Sequence, residues 1–423
     1  MSWKNRPAAV LAGLLLLHLL AHIDRNMLMA FAPHLIAELQ LSHAQYGFLV
    51  GAVWVLSFGG MAMLMGTLAD RYSRPRVIAC GVLIWSVCTW ASGHAQNFEQ
   101  MVLARFFVAS GEAALVPAAA ALLTEQFAER RRGTALGIFF MGIPLGIGCS
   151  FLLAGAYHAG WRTAFTALGA AGVALGLPLL LLRDERTPAP RQPRGAPLLR
   201  QAGDALRLVR ATPALRHTIA GFVLVNMVFA GLSFTQLWLV NERGMDGAGI
   251  ATRIGALQLI FGALGAVCGG TLGDRYARRW GGGHAGFAVL LLALCTPLMA
   301  TYRYAPAGSP LFYAGMCASF FLPLALYGPA NGIILGLTPP HLRATVSGFT
   351  MLAINVFAIA LGNMALGAAS DYLARAGYRA PLTGVLLATD VAAACALPFF
   401  ALAARRTGAP VASARLPALE NAK

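Results

Sequence analysis

The chain has 423 residues, of which 58% are hydrophobic and only 11% are charged. The apolar residues fall in runs of about 20 residues between short polar breaks, which is the length that a helix needs to cross a bilayer. The polar segments are too short to bury a core of their own, so the composition excludes a separate soluble domain. The formal net charge of +16 raises the question of nucleic-acid binding,.

In chain order, the apolar runs predict twelve transmembrane helices, called spans 1 to 12 below. They cover residues 8–31, 44–68, 76–95, 99–123, 133–157, 162–182, 214–240, 249–272, 284–304, 309–337, 343–370 and 381–405. The expected fold class is therefore all-α and integral to a membrane. Span 1 carries Asp24-Arg25 and no small-residue cleavage site, so we expect a retained span rather than a removed signal peptide,.

The basic residues are distributed unevenly between the two sides of the predicted membrane. With the N-terminus inside, 24 of the 32 lysines and arginines fall on the cytoplasmic side and six, including Arg303, fall outside. This bias is the positive-inside rule, and it predicts that both termini are cytoplasmic in a multi-pass protein of the cell inner membrane. Because the charge is spread over many segments instead of one folded face, no nucleic-acid partner is expected.

The seven cysteines all lie inside apolar runs and show no paired spacing in the loops. They are typical of small core residues, so neither a disulfide framework nor a metal site is indicated. No cofactor is expected.

An internal repeat divides the chain into two parts. Residues 66–76 read GTLADRYSRPR and residues 270–280 read GTLGDRYARRW, with seven of eleven positions identical. Each copy follows the second span of a six-span half, and internal repeats of this kind are typical of transporters. The predicted domains are an N-terminal half (1–183), a basic cytoplasmic linker (184–213), a C-terminal half (214–405) and a cytoplasmic tail (406–423).

The repeated loop resembles the signature loop of the major facilitator superfamily. Other segments are most similar to its spinster-like branch: HIDRNML in span 1, LARFFVASGEAALVPAA in span 4, ERRRGTALGIFFMGIPLGIG entering span 5 and TPPHLRATVSGF entering span 11. One departure is Gly362-Asn363 in span 11, where relatives commonly have Gly-Pro. The resemblance implies two pseudo-symmetric six-helix halves that alternate access to a site between them, and no enzymatic activity.

The signature loop is a conformational lock in that superfamily. Asp70 and Asp274 lie at span ends among arginines, where a carboxylate can pair with a guanidinium or accept hydrogen bonds from a helix N-terminus. The alternative is that the arginines only set the topology. The resemblance implies a gating role for Gly66, Asp70, Arg71, Arg74, Arg76, Asp274 and Arg275.

Four charged residues stand out within spans 1 and 4, where an ionisable group is costly unless it has a partner or faces water. Arg105 and Glu112 are seven residues apart, so both project from the same side of span 4. The spinster-like resemblance implies that the Asp-Arg of span 1 and these two residues serve proton coupling and substrate-linked gating. We predict that Asp24 and Glu112 are protonatable groups, with Arg25 and Arg105 as their charge partners or as contacts for an anionic headgroup. A static buried ion-pair network is the alternative.

Polar residues at helical spacing predict an amphiphilic cavity. His18 and His22 share a face with Arg25 and are either a proton relay or satisfied interior groups. The other candidate cavity residues are Asn226, Phe229, Ser233, Gln236, Tyr327, Asn331, Asn355 and Asp390. The alternative for the polar residues among them is hydrogen bonding between packed helices.

The sequence lacks the phosphate-binding loop of an ATP-driven pump and the short catalytic motifs of hydrolases,. We therefore predict a proton-coupled secondary transporter of an amphiphilic, lysophospholipid- or sphingoid-like substrate. A symporter of small organic anions and a proton-driven multidrug exporter are the alternatives. The expected partners are a small-molecule or lipid-like substrate, protons and membrane lipids, and the expected state is a monomer.

Overall fold

The computed structural model describes residues 6–157, 160–181, 198–280 and 282–407. Within these residues the chain is almost wholly helical, and twelve helices are long and apolar enough to cross a membrane. The predicted fold class is thus confirmed. The predicted tail after Thr407 and the linker before Leu198 lie outside the described residues.

Spans 1 to 6 form the N-terminal half. Span 1 is Pro7–Ala30 and is followed by a short helix, Ala32–Glu38. The remaining helices are His43–Gly47, the π-helix Phe48–Ala52 and Val53–Arg71 in span 2, Arg74–Ser92 in span 3, Phe98–Glu112 and Leu115–Gln126 in span 4, Glu129–Phe140 and Gly142–Ala156 in span 5, and Trp161–Gly176 with the 3₁₀ turn Leu177–Leu181 in span 6.

Spans 7 to 12 form the C-terminal half and are on average longer. They are Pro213–Asn241, Gly247–Arg279, Gly283–Tyr302, Pro310–Gly336, then Arg343–Ala353 with the π-helix Ile354–Ala360 and Leu361–Arg375, and finally Pro381–Thr407. A 3₁₀ turn, Pro340–Leu342, precedes span 11. Span 8 extends past its predicted end at residue 272, so the arginines of the second signature loop belong to its last turns.

Several span starts are encoded locally. Ser42 forms a capping box with Gln45, and the side chains of Asn97, Asp246 and Ser309 each accept a backbone N–H of the following first turn. These short polar side chains satisfy donors that a helix leaves without intrahelical partners. The polar breaks of the sequence are therefore helix starts, which is why the predicted boundaries agree closely.

The apolar core shows how the halves are joined. Below, the inner side is the side on which the described chain begins and ends, and the outer side is the opposite one. The large outer core contains residues of both halves, including Tyr46, Leu49, Phe234 and Leu366. The inner side instead has two separate cores, one within each half. The halves are thus packed together on the outer side and have independent cores on the inner side.

Glycines permit the outer contact. A Cβ atom on Gly255 of span 8 would lie 2.7 Å from the carbonyl oxygen of Gly148 in span 5. A Cβ atom on Gly47 of span 2 would lie 2.2 Å from the carbonyl oxygen of Asn363 in span 11. Small residues allow helix backbones to approach this closely. Span pairs 5/8 and 2/11 therefore close the outer side.

Residues 198–211 of the predicted linker form a helix, Leu198–Ala211. Its buried residues Ala205 and Val209 belong to the inner core of the C-terminal half, together with Leu215 and Leu342. Arg207 and Arg210 are exposed on its other side. This part of the linker is thus attached to one half.

Candidate transport site

A cavity of about 240 Å³ lies between the two halves. Its walls are mainly apolar, with Ile143, Ile147 and Phe151 from span 5 facing Phe229, Leu232 and Phe320 of the other half. Polar side chains come from span 1 and from spans 7, 8, 10 and 11. A mostly apolar cavity with a few polar groups is the usual form of a small-molecule site.

Arg25 is the cation of this cavity among the described residues. Its guanidinium carbon lies 3.4 Å from the ring centroid of Trp54 in span 2. Among the described residues Arg25 has no ion pair or hydrogen bond, so its N–H donors are available to a ligand. The cation–π contact with Trp54 orients the guanidinium,. A guanidinium in this setting can bind an anionic group in two-point fashion.

Glu112 shares the same indole. Trp54 Nε1 donates a hydrogen bond of 3.0 Å to Glu112 Oε2, while Oε1 has no hydrogen-bond partner among the described residues. Glu112 is buried, and it lines a small adjoining pocket with Arg25, Trp54 and Arg105. Trp54 therefore connects the carboxyl group of span 4 to the cavity arginine.

Asp24 and Arg105 form a separate pair inside the N-terminal half. Arg105 Nη1 lies 2.8 Å from Asp24 Oδ1, and Thr89 donates its hydroxyl to Asp24 Oδ2. Both side chains are almost fully buried, and the guanidinium also lies 4.4 Å from the ring centroid of Phe165. Neither residue is among the described residues that line the central cavity.

The two histidines of span 1 have different surroundings. His18 is buried, stacks on Phe139 and lies with Nδ1 2.9 Å from the Phe139 carbonyl oxygen. His22 lines the central cavity, and Gly146 of span 5 leaves room for it, because a Cβ atom there would lie 2.4 Å from His22 Cβ. His22 thus belongs to the described lining of the central cavity, and His18 does not.

The predicted cavity residues divide into two groups. Asn226, Phe229, Ser233, Tyr327 and Asn355 line the central cavity. Asn226 is oriented by the Tyr327 hydroxyl, which donates to its Oδ1 over 3.2 Å. The others lie elsewhere: Gln236 lines a cavity nearer the outer surface, and Asn331 donates to the Tyr327 carbonyl within span 10.

Asp390 is paired with Arg303 and lies away from the cavity lining. Arg303 Nε and Nη2 contact the two carboxylate oxygens at 2.7 and 3.1 Å, and both side chains are at most 1% exposed. The sequence places Arg303 on the outer side, at the end of predicted span 9; it follows the last helical residue of that span and is buried beside Tyr302 and Trp238. An arginine near a span boundary can thus be buried inside the helix bundle when a carboxylate there forms an ion pair with it.

Sequence reasoning missed Trp54, Gln258 and Asn363. Trp54 lies in the apolar run 44–68 of predicted span 2, and nothing local marks it as the link between Arg25 and Glu112. Gln258 and Asn363 are buried, line the central cavity and are amides within apolar spans, which is the signal that would have found them,. In the part of the chain that the structure describes, Asn363 Oδ1 has no hydrogen-bond partner.

The signature loops lie on the inner side. Arg74 Nη1 lies 2.6 Å from Glu125 Oε2 within the N-terminal half. Asp274 Oδ1 lies 3.0 Å from His284 Nε2 within the C-terminal half. Arg76 and Arg275 are exposed. The backbone of Gly66, Asp70 and Arg71 is helical, and their side chains lie outside the described part.

The Major Facilitator Superfamily model matches residues 14–363 of this chain. The chain belongs to the Major Facilitator Superfamily. It is 29% identical to an MFS-type efflux pump of Mycolicibacterium smegmatis over 87% of this chain and 86% of that protein. It is 30% identical to a probable sulfoacetate transporter of Cupriavidus necator, over 69% of this chain and 70% of that protein. It is 26% identical to Protein spinster of Drosophila melanogaster, over 79% of this chain and 57% of that protein.

A bacterial homologue of the human lysosomal transporter Spinster, solved in an inward-facing and unoccupied conformation, superposes with a TM-score of 0.81. It shares 25% identity, with 94% of this chain and 97% of that chain covered. Together with Protein spinster, it places this superfamily member in the spinster-like branch. The chain is a multi-pass transporter, and its relatives are not enzymes.

Proposed function

We propose that this transporter is proton-coupled and moves an amphiphilic substrate with an anionic headgroup, of the lysophospholipid or sphingoid type, by alternating access. The observation that carries the proposal is the Arg25–Trp54–Glu112 arrangement beside an apolar cavity. The headgroup binds Arg25, and the apolar part lies against the walls formed by spans 5, 7 and 10. A relative in Arabidopsis thaliana is named a probable sphingolipid transporter, which supports this substrate class.

The coupling follows from charge compensation. When Glu112 is ionised, its negative charge lies near Arg25 and competes with an anionic ligand for the guanidinium. Protonation of Glu112 removes this competition, so a proton and an anion bind together more favourably than either alone. In this proposal Asp24 has a supporting role, because its charge is already matched by Arg105.

The gating loops complete the cycle. The inner side is fastened, when the outer side opens, by charged residues of the two signature loops: Asp70, Arg71, Arg74, Arg76, Asp274 and Arg275. Gly66 leaves room for the end of span 2 to approach the other half. In the proposed orientation the inner side is cytoplasmic and the protein acts as a monomer in the inner membrane. The Arg74–Glu125 and Asp274–His284 contacts hold these residues within their own halves meanwhile.

A small organic anion is the second candidate substrate. The cavity volume of about 240 Å³ is below the range of roughly 300–1,000 Å³ that is usual for drug-sized ligands,. A relative is named as a probable sulfoacetate transporter, and a compact acid would fit this volume. The amphiphile remains the first proposal because Arg25 is the cation of the described cavity lining, whereas a compact anion site is expected to use several.

Substrate-driven proton movement in proteoliposomes tests the proposal. The substrates are a lysophospholipid, a sugar acid and a cationic dye, and the variants are Glu112→Gln and Asp24→Asn. Glu99→Gln, in the exposed first turn of the same span as Glu112, is the matched control. We expect proton flux with the lysophospholipid that is lost in Glu112→Gln and retained in Glu99→Gln. Flux with the sugar acid alone would select the second candidate, and undiminished flux in Glu112→Gln would refute the coupling site.

A further inference from the structure

The outer ends of spans 11 and 2 are joined by one carboxylate. Asp371 of span 11 accepts hydrogen bonds from the backbone N–H groups of His43, at 3.0 Å, and of Ala44, at 2.8 Å. These are the first two residues of span 2, which belongs to the other half. The first N–H groups of a helix lack intrahelical acceptors and carry partial positive charge, so an ionised carboxylate stabilises them.

The same contact includes a side chain and a close backbone approach. His43 Nδ1 lies 2.9 Å from Ser370 Oγ and 3.7 Å from Asp371 Oδ1. One turn away, a Cβ atom on Gly367 would lie 2.1 Å from the His43 carbonyl oxygen. The carboxylate is therefore presented to span 2 by backbones that are already in contact.

Both spans contain a π-helical turn just inside this contact. Phe48–Ala52 of span 2 and Ile354–Ala360 of span 11 lie next to each other across the two halves. A π-helical turn is a frequent feature of functional sites and a recognised cause of helix kinks. The contact at Asp371 thus lies at the outer ends of two spans, and each span contains a π-helical turn between this contact and its inner end.

Glu242 provides an internal comparison. Its carboxylate accepts the N–H groups of Leu382 and Thr383 at 2.6 and 2.8 Å, at the start of span 12. Span 7, which ends next to Glu242, and span 12 both belong to the C-terminal half. The chain therefore uses the same chemistry twice, once within a half and once between the halves.

We infer that Asp371 is the positioning residue that fastens the outer side, and that its carboxylate must leave the first turn of span 2 whenever the outer side opens. The inference rests on the proposed alternating access and adds a gate on the side opposite the signature loops. Removal of the charge weakens the closed outer state and raises the outer-open population.

Distances between spin labels test the latch without a substrate. The labels are placed in a cysteine-free background at Gln96 and Tyr378, which are exposed in outer loops of opposite halves. We expect Asp371→Asn to raise the outer-open population roughly fivefold to tenfold, because two charge-assisted hydrogen bonds become weaker. The Glu242 charge also acts on the His43 imidazole, so Glu242→Gln, the matched control, is made in the His43→Ala background. There it lowers thermal stability and leaves the label distances as in His43→Ala alone.

The donor side of the latch gives an independent variant. Proline is tolerated at the first position of a helix, and Ser42 before it already has the extended backbone that proline requires,. His43→Pro removes one donor N–H together with the side chain, whereas His43→Ala removes the side chain alone. We expect a larger outer-open population in His43→Pro than in His43→Ala.

Unchanged label distances in both Asp371→Asn and His43→Pro would overturn the latch. An equal shift in Glu242→Gln would also overturn it, because general loss of stability would then explain the result. Neither outcome depends on the substrate or on protons, so the latch can be refuted while the proposed function holds. Conversely, an absence of proton flux would refute the proposed function without affecting the distance measurements.

Discussion

Asp24 and Arg25 are adjacent in the chain and yet contribute to different environments. Asp24 is turned into the N-terminal half, where it pairs with Arg105 at 2.8 Å. Arg25 is turned to the cavity between the halves, where it lies over Trp54. Successive residues of a helix project about 100° apart, so one dipeptide supplies both a structural pair and a ligand contact.

The Asp24–Arg105 pair should show strong coupling in a double-mutant cycle. Loss of either partner leaves a buried charge unpaired and costs about 3–5 kcal/mol, whereas loss of both costs less than the sum. We expect a coupling energy of about 1–3 kcal/mol between Asp24→Asn and Arg105→Gln, measured by unfolding in detergent. The exposed Asp204–Arg207 pair, at 3.7 Å, is the control and should give about 0–0.5 kcal/mol,. Additive effects of the Asp24 and Arg105 variants would contradict this prediction.

Arg25 should determine affinity for the anionic group. Arg25→Gln is expected to raise KM for an anionic amphiphile by about tenfold or more, since a charged hydrogen bond contributes about 1.5–3 kcal/mol. Arg25→Lys should be intermediate, because lysine keeps the charge and loses the planar stacking on Trp54,. Transport kinetics with an anionic substrate and its neutral analogue measure the effect, and an equal loss for both would argue against headgroup binding.

The Arg303–Asp390 pair should matter for stability and not for substrate affinity. It is buried inside the C-terminal half and is absent from the described lining of the central cavity. Asp390→Asn is expected to lower the Tm while KM stays within about twofold, since the buried guanidinium loses its counter-charge. A tenfold change in KM without a change in Tm would instead assign the pair to the transport site.

Gly255 should be required for outer closure. Gly255→Ala places a methyl group 2.7 Å from the Gly148 carbonyl oxygen, so spans 5 and 8 must separate. Gly270→Ala, in the same span, meets nothing within 4 Å and is the matched control. We expect a longer outer label distance in Gly255→Ala only, and identical distances in the two variants would contradict the proposed role of this contact.

Glu38 should make a pH-dependent contribution to stability. The hydrogen bond from Arg162 Nε, at 2.6 Å, lowers the pKa of the Glu38 carboxyl group below its ordinary value. A depressed folded-state pKa means that the stabilisation is present above the unfolded-state pKa and is lost as the pH falls through the folded-state pKa. The Tm difference between wild type and Glu38→Gln should therefore be largest near neutral pH and vanish in acid. A difference that is independent of pH would show that the charge is not responsible.

The sequence by itself determined the class of the protein and most of its architecture. Span lengths follow from bilayer thickness, helix starts from local caps, and the two halves from the repeated loop. The four intramembrane charges were identifiable because ionisable groups are rare and costly at that depth. Each of these properties depends on composition or on short-range order along the chain.

Only the tertiary structure decided which partner each charge received. The sequence offers Arg105 as a charge partner or as a headgroup contact, and the fold pairs it with Asp24 of span 1. Arg303 lies at the outer end of predicted span 9, and the fold pairs it with Asp390 of span 12. Trp54, Asn363 and the Asp371 latch depend on contacts between residues that are far apart in sequence. The sequence shows that a buried charge needs a partner, but packing between distant helices determines which residue is close enough to be that partner.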